Sequence, residues 1–316
     1  MKTDTLGRRL RFAPPQPRGK RIDLKERDLL IFEALHRHGP LPTHYLYEFT
    51  RHLGRHLSSF QHRLTKLANG TENGTAYLSR PQQQFASYNA RCQPIIYDLA
   101  PPALTVLAER GRAHRQTRTD PFLHRFMGAC VGASMRLAAE SHGCRHGSKE
   151  DIFAHPKCPE DIRFAANPLA LPIWLPTGSK FLVPDDLFVI QYPGPKPRFF
   201  AVEIDRRTES INSDTAKTAY GRKLQGYIEA IKNRSYHKHW GIPGLTVLTI
   251  TTNPIHLRNM LRHFRSLSEP QLAKRFLFKS KSHFGANWEV PPIMHDLFGE
   301  PWIAGDGSQV AIDTAW

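Results

Sequence analysis

The fold of this 316-residue chain is decided by two segments, Val-Pro-Asp-Asp-Leu-Phe at 183–188 and Phe-Phe-Ala-Val-Glu-Ile-Asp at 199–205. Both patterns are typical of apolar β-strands, and the Pro-Gly-Pro sequence between them predicts a turn. Because alternate side chains of a strand share a face, Glu203 and Asp205 are expected on the same side. If the two strands pair, Asp185 lies close to Glu203 as well. The sequence therefore predicts a cluster of carboxylates on one face of a sheet.

Carboxylates gathered in this way are ligands for a hard divalent cation. Mg²⁺ and Mn²⁺ prefer oxygen atoms, and Mg²⁺ often takes only one or two protein carboxylates. Such an ion polarises a phosphodiester and lowers the pKa of an attacking water. We expect Asp185 and Glu203 to bind the metal, with Asp205 as an additional ligand or base.

A cation that stabilises the charged transition state is the second requirement of this chemistry. The predicted helix 215–232 carries a buried stripe of Tyr220, Leu224, Tyr227 and Ile231. Its tyrosines are expected to pack in the core rather than to attack DNA. Lys217 and Lys223 flank that stripe on either side, since an α-helix has about 3.6 residues per turn. Of the two lysines, Lys223 is the preferred catalytic cation.

A solvated strand end is the alternative interpretation of the acidic cluster, with the carboxylates paired to Arg206, Arg207 and nearby lysines. Two predicted strands, Phe181–Ile190 and 199–204, argue against it. Both are apolar enough to be central strands of a sheet, where an acid without a partner is costly.

The predicted elements around the cluster alternate between helix and strand. A long helix opens at Asp120-Pro121 and reaches about Ser141, and residues 143–170 are expected to be irregular. Strands are predicted at 173–175, 181–190, 198–205, 245–252 and 275–278, and helices at 215–232 and 254–267. This α-β-β-β-α-β order predicts an α/β domain at residues 120–282, with a mixed β-sheet flanked by helices.

The N-terminal third has the pattern of a DNA-binding module. Residues 1–22 are rich in Pro, Arg and Lys and are expected to form a flexible basic arm. Helices near 24–38, 43–50 and 58–67, followed by two short strands and a fourth helix, predict a winged helix-turn-helix domain at 23–112. Its third helix would enter the DNA major groove with four polar side chains, Gln61, His62, Arg63 and Lys66. A helix face that is merely solvated is the alternative.

The charge of the chain favours a polyanionic partner. It holds 44 Lys and Arg against 28 Asp and Glu, a formal net charge of +16. A surplus of this size indicates nucleic acid, here double-stranded DNA. On the predicted helix 254–267, Arg258 and Arg262 form a second basic face that we expect to contact phosphate. Residues 283–316 contain no Lys or Arg and form an acidic C-terminal extension, whose fold the sequence leaves open.

Other kinds of site are weaker expectations. Cys144-x-His146 and His155-x-x-Cys158 match the spacing of no standard zinc finger, and zinc is not expected. The four cysteines are too few for a disulfide scaffold, so a reducing, cytoplasmic location is the default. We expect no membrane span and no signal peptide, because no long apolar run is present. A homodimer and protein partners in replication or mobilisation stay open.

The acidic motif carries a family resemblance. Pro184-Asp185 followed by Glu203-x-Asp205 resembles the P-D…(D/E)-x-K motif of the restriction-endonuclease-like nucleases, with Asp205 in the position of the motif's lysine. Some members of that fold move the lysine to the next helix, which implies that Lys223 stands in for it. The resemblance implies a Mg²⁺-dependent or Mn²⁺-dependent DNA endonuclease, in this case a nickase.

The wider arrangement, over about residues 23–268, resembles the replication-relaxation proteins of plasmids and other mobile elements. In that family Glu-x-Asp-x-x-Thr-Glu precedes a helix bearing Lys and Tyr. The matching residues are Glu203, Asp205, Thr208, Glu209, Lys223 and Tyr227. The resemblance implies DNA binding in replication, relaxation or mobilisation. The alternative is a non-catalytic DNA-binding regulator whose nuclease-like domain serves binding or dimerisation, which Asp205 in the lysine position favours.

Overall fold

The computed structural model of the chain describes residues 17, 19, 21–85, 92–112, 120–175, 178–194, 196–206, 216–267 and 269–314, with only the backbone at 216–219. Most of the predicted basic arm lies outside these residues, as do Thr208 and Glu209. The described chain divides into two compact units. The first contains the residues up to Ala133 together with Asn287–Ile293, and the second contains Ser134–Ala286 and the residues from Met294 onward.

The first unit combines helices with a small antiparallel sheet. Its elements are α1 (Glu26–His38), β1 (Leu41–Pro42), α2 (Thr43–Thr50), α3 (Leu57–Asn69), β2 (Leu78–Ser79), β3 (Ile96–Leu99) and α4 (Pro101–Glu109). The three strands form an antiparallel sheet in the order β1-β3-β2. The predicted helices and strands of this region are confirmed, with small shifts at their ends.

Helix α3 forms because its apolar residues recur at helical spacing. Phe60, Leu64 and Leu67 are buried together, and burying a side chain of this size contributes roughly 1.5–3 kcal/mol. The helix ends at Gly70, where φ is 78° and a Cβ would lie 2.7 Å from the carbonyl oxygen of Thr75. Only glycine fits that turn without strain. The opposite face of α3 is left in solvent.

Residues Asn287–Ile293 belong to the first unit although they lie in the predicted acidic extension. The carbonyl oxygen of Pro292 accepts a hydrogen bond of 2.7 Å from the hydroxyl of Tyr45 on α2. Trp288 packs edge-on against Phe126, with ring centroids 5.7 Å apart. These contacts hold the segment against the first unit, so 283–316 is not one separate extension.

The second unit is an α/β domain. Its elements are the end of α5 (Phe122–Ser141), β4 (Arg145–Gly147), α6 (Lys149–Ala154), α7 (Glu160–Arg163), β5 (Leu171–Leu175), β6 (Gly178–Leu182), β7 (Asp186–Gln191), β8 (Arg198–Asp205), α8 (Ala216–Lys232), α9 (Ser235–Trp240), β9 (Thr246–Thr251), α10 (Pro254–Leu267), β10 (Phe276–Ser280), α11 (Asp296–Gly299), β11 (Trp302–Ala304) and β12 (Gln309–Val310). Seven strands form one sheet in the order β12-β11-β10-β9-β8-β7-β4. Strands β8, β9 and β10 are parallel and the other pairs are antiparallel. The predicted mixed sheet with flanking helices is confirmed.

Two strand predictions for this unit are wrong. The predicted strand Phe181–Ile190 is two strands, β6 and β7, because Pro184 between them has no N–H to donate to a sheet. Strands β5 and β6 pair with each other in a separate hairpin. The first strand of the α-β-β-β-α-β order is therefore β4, which lies in the region 143–170 that was expected to be irregular.

The C-terminal residues complete the main sheet. Strand β11 pairs with β10, and β12 pairs with β11, both antiparallel. The hydroxyl of Tyr192 donates to the carbonyl oxygen of Ile312 at 2.5 Å, which ties the end of the chain to the end of β7. The domain predicted to stop at residue 282 thus includes strands from residues 302–310. None of the described helices is long and apolar enough to cross a membrane.

Candidate functional site

The acidic cluster is assembled by the pairing of β7 with β8. Asp186 lies opposite Val202 in the antiparallel register, which places Asp185 opposite Glu203 on the same face of the sheet. The carboxylate of Asp185 accepts a hydrogen bond of 2.7 Å from the N–H of Ile204. The predicted strand pairing is confirmed, and it brings Asp185 and Glu203 together.

The neighbouring Asp186 has a different partner. It belongs to the opposite face of the strand, and its carboxylate lies 3.4 Å from the ammonium of Lys149 on α6. Asp185 is therefore the aspartate that shares a face with Glu203.

Glu203 is the most enclosed member of the cluster, with an exposed fraction of 4%. Its Oε2 accepts a hydrogen bond of 2.6 Å from the ammonium of Lys223. Its Oε1 accepts one of 2.5 Å from the hydroxyl of Tyr227. Both donors come from α8, one turn apart. Helix α8 thus fixes the orientation of a carboxylate that belongs to strand β8.

The surroundings of Glu203 shift its pKa. Burial raises this pKa most, and the negative charge of Asp185 raises it further, whereas Lys223 and the hydrogen bond from Tyr227 lower it. The resulting pKa is about 7. Two carboxylates that oppose each other in this way favour the binding of a positive charge between them.

Lys223 reaches the cluster because α8 packs closely against the β5–β6 hairpin. A Cβ at Gly226 would lie 2.7 Å from the Cδ1 atom of Ile173, so glycine at this position permits the close approach. The Lys223 side chain keeps 41% of its surface exposed while its ammonium contacts Glu203. The structure thus brings the preferred lysine to the predicted ligand. The side chain of Lys217 lies outside the described part of the chain.

Tyr227 contributes more than the packing that its helical position predicts. It is buried, as expected, but its hydroxyl donates to Glu203. Burial and the negative charge of Glu203 raise the pKa of this hydroxyl well above its usual range. The hydroxyl of this tyrosine therefore holds the Glu203 carboxylate through a hydrogen bond.

Asp205 is bound to a residue that the sequence did not single out. Its Oδ2 lies 2.8 Å from Nε2 of His256, a buried histidine in the first turn of α10. Asn253 caps that helix through a hydrogen bond of 2.7 Å from the N–H of Ile255. The Asn-Pro sequence after a buried strand was the available signal, since it predicts a helix start beside the end of the strand.

The donor set around Glu203 fits one divalent cation. Asp185 and Glu203 supply carboxylate oxygens from adjacent strands on one face, the arrangement that Mg²⁺ uses with few protein ligands. Within the described ranges, no group of three or more His, Cys, Asp and Glu side chains is placed to hold a metal ion. Any further ligands would have to come from water and substrate.

The predicted DNA-contacting residues of α3 separate into two groups. Gln61, His62 and Lys66 are exposed on the solvent face of the helix. Arg63 instead donates to both oxygens of Asp28, with Nε at 2.9 Å and Nη2 at 2.5 Å. Asp28 on α1 is 1% exposed. The guanidinium of Arg63 therefore joins α3 to α1, and we leave this residue out of the proposed DNA contacts.

Each unit also exposes basic side chains. Arg55 and His56 lie just before α3, in the turn that presents its N-terminus, and the sequence interpretation missed them. On α10, Arg258 and Arg262 are exposed one helical turn apart, on the side away from the buried Leu261 and Phe264. Their position agrees with the predicted second basic face.

Comparison with known proteins identifies one family. No curated protein matches the sequence. Among solved structures, the restriction endonuclease FokI is similar at a TM-score of 0.27 and 11% sequence identity, over 80% of this chain. The aligned region spans 41% of the FokI chain. The sequence model of the Replication-relaxation family matches residues 32–245, more than half of the chain. The chain belongs to the Replication-relaxation family.

Proposed function

We propose that this chain is a DNA-binding protein of a plasmid or mobile element, which acts in replication, relaxation or mobilisation by cutting one strand of double-stranded DNA. The observation that carries the proposal is the 2.6 Å contact between Lys223 and Glu203, beside Asp185 on the neighbouring strand. Carboxylates for a metal ion and a cation for the phosphate are thus held in one place. Family membership supports the replication context.

Four residues at the cluster have a task in this reaction. Asp185 and Glu203 would hold a Mg²⁺ or Mn²⁺ ion, which supplies Lewis acidity toward the phosphate and lowers the pKa of an attacking water. Tyr227 keeps the Glu203 carboxylate in one orientation through its hydrogen bond. Lys223 supplies positive charge where negative charge develops on the phosphate in the transition state.

DNA binding is assigned to the two exposed basic surfaces. The solvent face of α3, with Gln61, His62 and Lys66, would enter a major groove as a recognition helix. Arg258 and Arg262 on α10 lie in the same unit as the acidic cluster and would contact phosphates near the cut. The net charge of +16 supports a polyanionic substrate.

A plasmid-nicking assay tests the proposal. The full chain is incubated with supercoiled plasmid in Mg²⁺, in Mn²⁺ and in EDTA, and open circles are quantified. We expect nicking with either metal and none in EDTA. Glu203→Gln and Asp185→Asn should lose it, while Glu229→Gln on the same helix as Lys223 should retain it. Nicking that persists in Glu203→Gln would refute the assigned site.

A non-catalytic DNA-binding regulator is the second candidate. It is favoured by the hydrogen bonds that already occupy both oxygens of Glu203 and by Asp205 in the lysine position. A regulator binds DNA with a steep salt dependence, since phosphate contacts release counterions, yet it leaves the plasmid supercoiled with every metal. DNA binding without nicking would select this candidate.

A further inference from the structure

The β5–β6 hairpin exposes two large aromatic side chains to solvent. Trp174 is 68% exposed and Phe181 is 73% exposed. The other face of the hairpin is buried, because Leu171, Ile173 and Leu182 belong to the core beside α8. The hairpin is thus anchored to the domain on one face and presents aromatic side chains on the other, and we call that aromatic face the platform.

The two rings lie on the same face at neighbouring positions. Pro172 pairs with Phe181, and Trp174 follows Pro172 by two residues, so Trp174 and Phe181 are diagonal cross-strand neighbours. Such neighbours are about 7–8 Å apart. That spacing lets both rings contact the same unpaired base or two adjacent ones.

The platform is continuous with the acidic cluster. Phe181 precedes Asp185 by four residues, and an extended chain of that length spans at most roughly 14 Å. A nucleic-acid strand with a phosphate at Asp185 and Glu203 would then have its next nucleotides within reach of the hairpin.

Basic side chains accompany the aromatic ones. Lys180 is exposed on the strand of Phe181, although its pairing with Ile173 places it on the opposite face from the rings. A groove of about 600 Å³ beside Trp174 is lined by the exposed Lys238 as well as by Asp161 and Glu229. A cation therefore lies beside each of the two aromatic residues. Aromatic faces interleaved with cations are typical of surfaces that bind single-stranded nucleic acid.

We propose that the Trp174–Phe181 face binds unpaired bases of DNA by stacking, and that the substrate of the acidic cluster includes a single-stranded segment beside the cut. This inference rests on the proposed function for the cut, but binding to the platform does not require cleavage. Stacking on aromatic rings tolerates any base, so the platform would prefer single-stranded to double-stranded DNA without preferring a sequence.

The test is anisotropy titration of the full chain with a fluorescent 20-nucleotide oligothymidylate in EDTA, where cleavage cannot occur. Trp174→Ala and Phe181→Ala should each weaken binding roughly 5- to 150-fold, as expected for the loss of a stacked base. Trp174→Phe should restore most of the affinity. Phe164→Ala, which removes a third exposed aromatic outside the hairpin, should bind like the wild type.

An oligomer of the same length with abasic sites keeps the phosphates and removes the stacking partners. Wild type and Trp174→Ala should bind it equally. Unchanged oligothymidylate binding in both alanine variants would overturn the proposal. The proposal would also be overturned if the wild type is a dimer, Trp174→Ala is a monomer, and both bind the oligonucleotide with the same affinity. The aromatic face would then join two copies of the chain.

The two proposals fail separately. If the wild type binds the oligonucleotide through Trp174 and Phe181 but never nicks plasmid, the cleavage proposal is refuted and the binding proposal stands. If the wild type nicks plasmid with metal but binds the oligonucleotide equally well without Trp174 and Phe181, the binding proposal is refuted and the cleavage proposal stands.

Discussion

The ammonium of Lys223 lies 2.6 Å from Oε2 of Glu203, although the two residues belong to different elements, helix α8 and strand β8. Strand β8 has Asp205 at the position where the nuclease motif that it resembles has lysine. Helix α8 supplies a cation to the cluster instead, through Lys223. The proposed phosphodiester chemistry rests on this contact.

The hydrogen bond from Tyr227 to Glu203 predicts a stability difference between two tyrosine variants. Tyr227→Phe removes a donor to a buried carboxylate, so we expect the free energy of unfolding at pH 8 to fall by about 1–3 kcal/mol. Tyr220→Phe on the same helix is the control, because the described hydrogen bonds to Glu203 come from Tyr227 and Lys223. Urea denaturation measures both. Equal losses in the two variants would contradict the assigned role of Tyr227.

The raised pKa of Glu203 predicts a pH-dependent stability. An acid whose pKa rises from 4.5 to about 7 on folding stabilises the fold fully below about pH 4.5. That contribution is lost as the pH rises through 7. The free energy of unfolding of the wild type, relative to Glu203→Gln, should fall by about 3 kcal/mol between these limits in EDTA. Denaturation of both proteins across this range provides the measurement. A difference that does not change with pH would show that Glu203 titrates normally.

Arg63 and Lys66 lie three residues apart on α3 and are predicted to act differently. Arg63→Ala leaves the buried Asp28 without its ion-pair partner and should destabilise the first unit by about 3–5 kcal/mol. Lys66→Ala should leave the melting temperature unchanged and weaken duplex binding. It should also reduce the slope of log K against log salt concentration by about 1, as expected for the loss of one phosphate contact. Thermal melts and salt titrations distinguish the two effects. A Lys66→Ala variant that binds duplex normally at every salt concentration would remove α3 from the DNA interface.

Much of this fold could be predicted from local patterns. The apolar spacing of Phe60, Leu64 and Leu67 identified α3, and the alternation around Glu203 and Asp205 identified β8 and its acidic face. Both depend on residues within one element, where the period of the side chains is fixed by backbone geometry.

The wrong predictions concern elements whose structure depends on a single residue or on pairing with a distant part of the chain. Pro184 splits a continuous apolar run into two strands that join different sheets, which composition alone does not reveal. The short strands at 302–304 and 309–310 form only because β10 offers them an edge. The partners of Arg63 and Asp205 are Asp28 and His256, and both pairs depend on tertiary packing between elements.

Nicking of supercoiled plasmid by Lys223 variants tests the central claim most directly. The initial rate of open-circle formation in Mg²⁺ is compared for the wild type, Lys223→Ala and Lys232→Ala. Lys232 is the matched control, because it lies on the same helix and pairs with Glu269 instead of Glu203. We predict a loss of about 100-fold or more in Lys223→Ala and a wild-type rate in Lys232→Ala. A Lys223→Ala variant that nicks at the wild-type rate would contradict the claim.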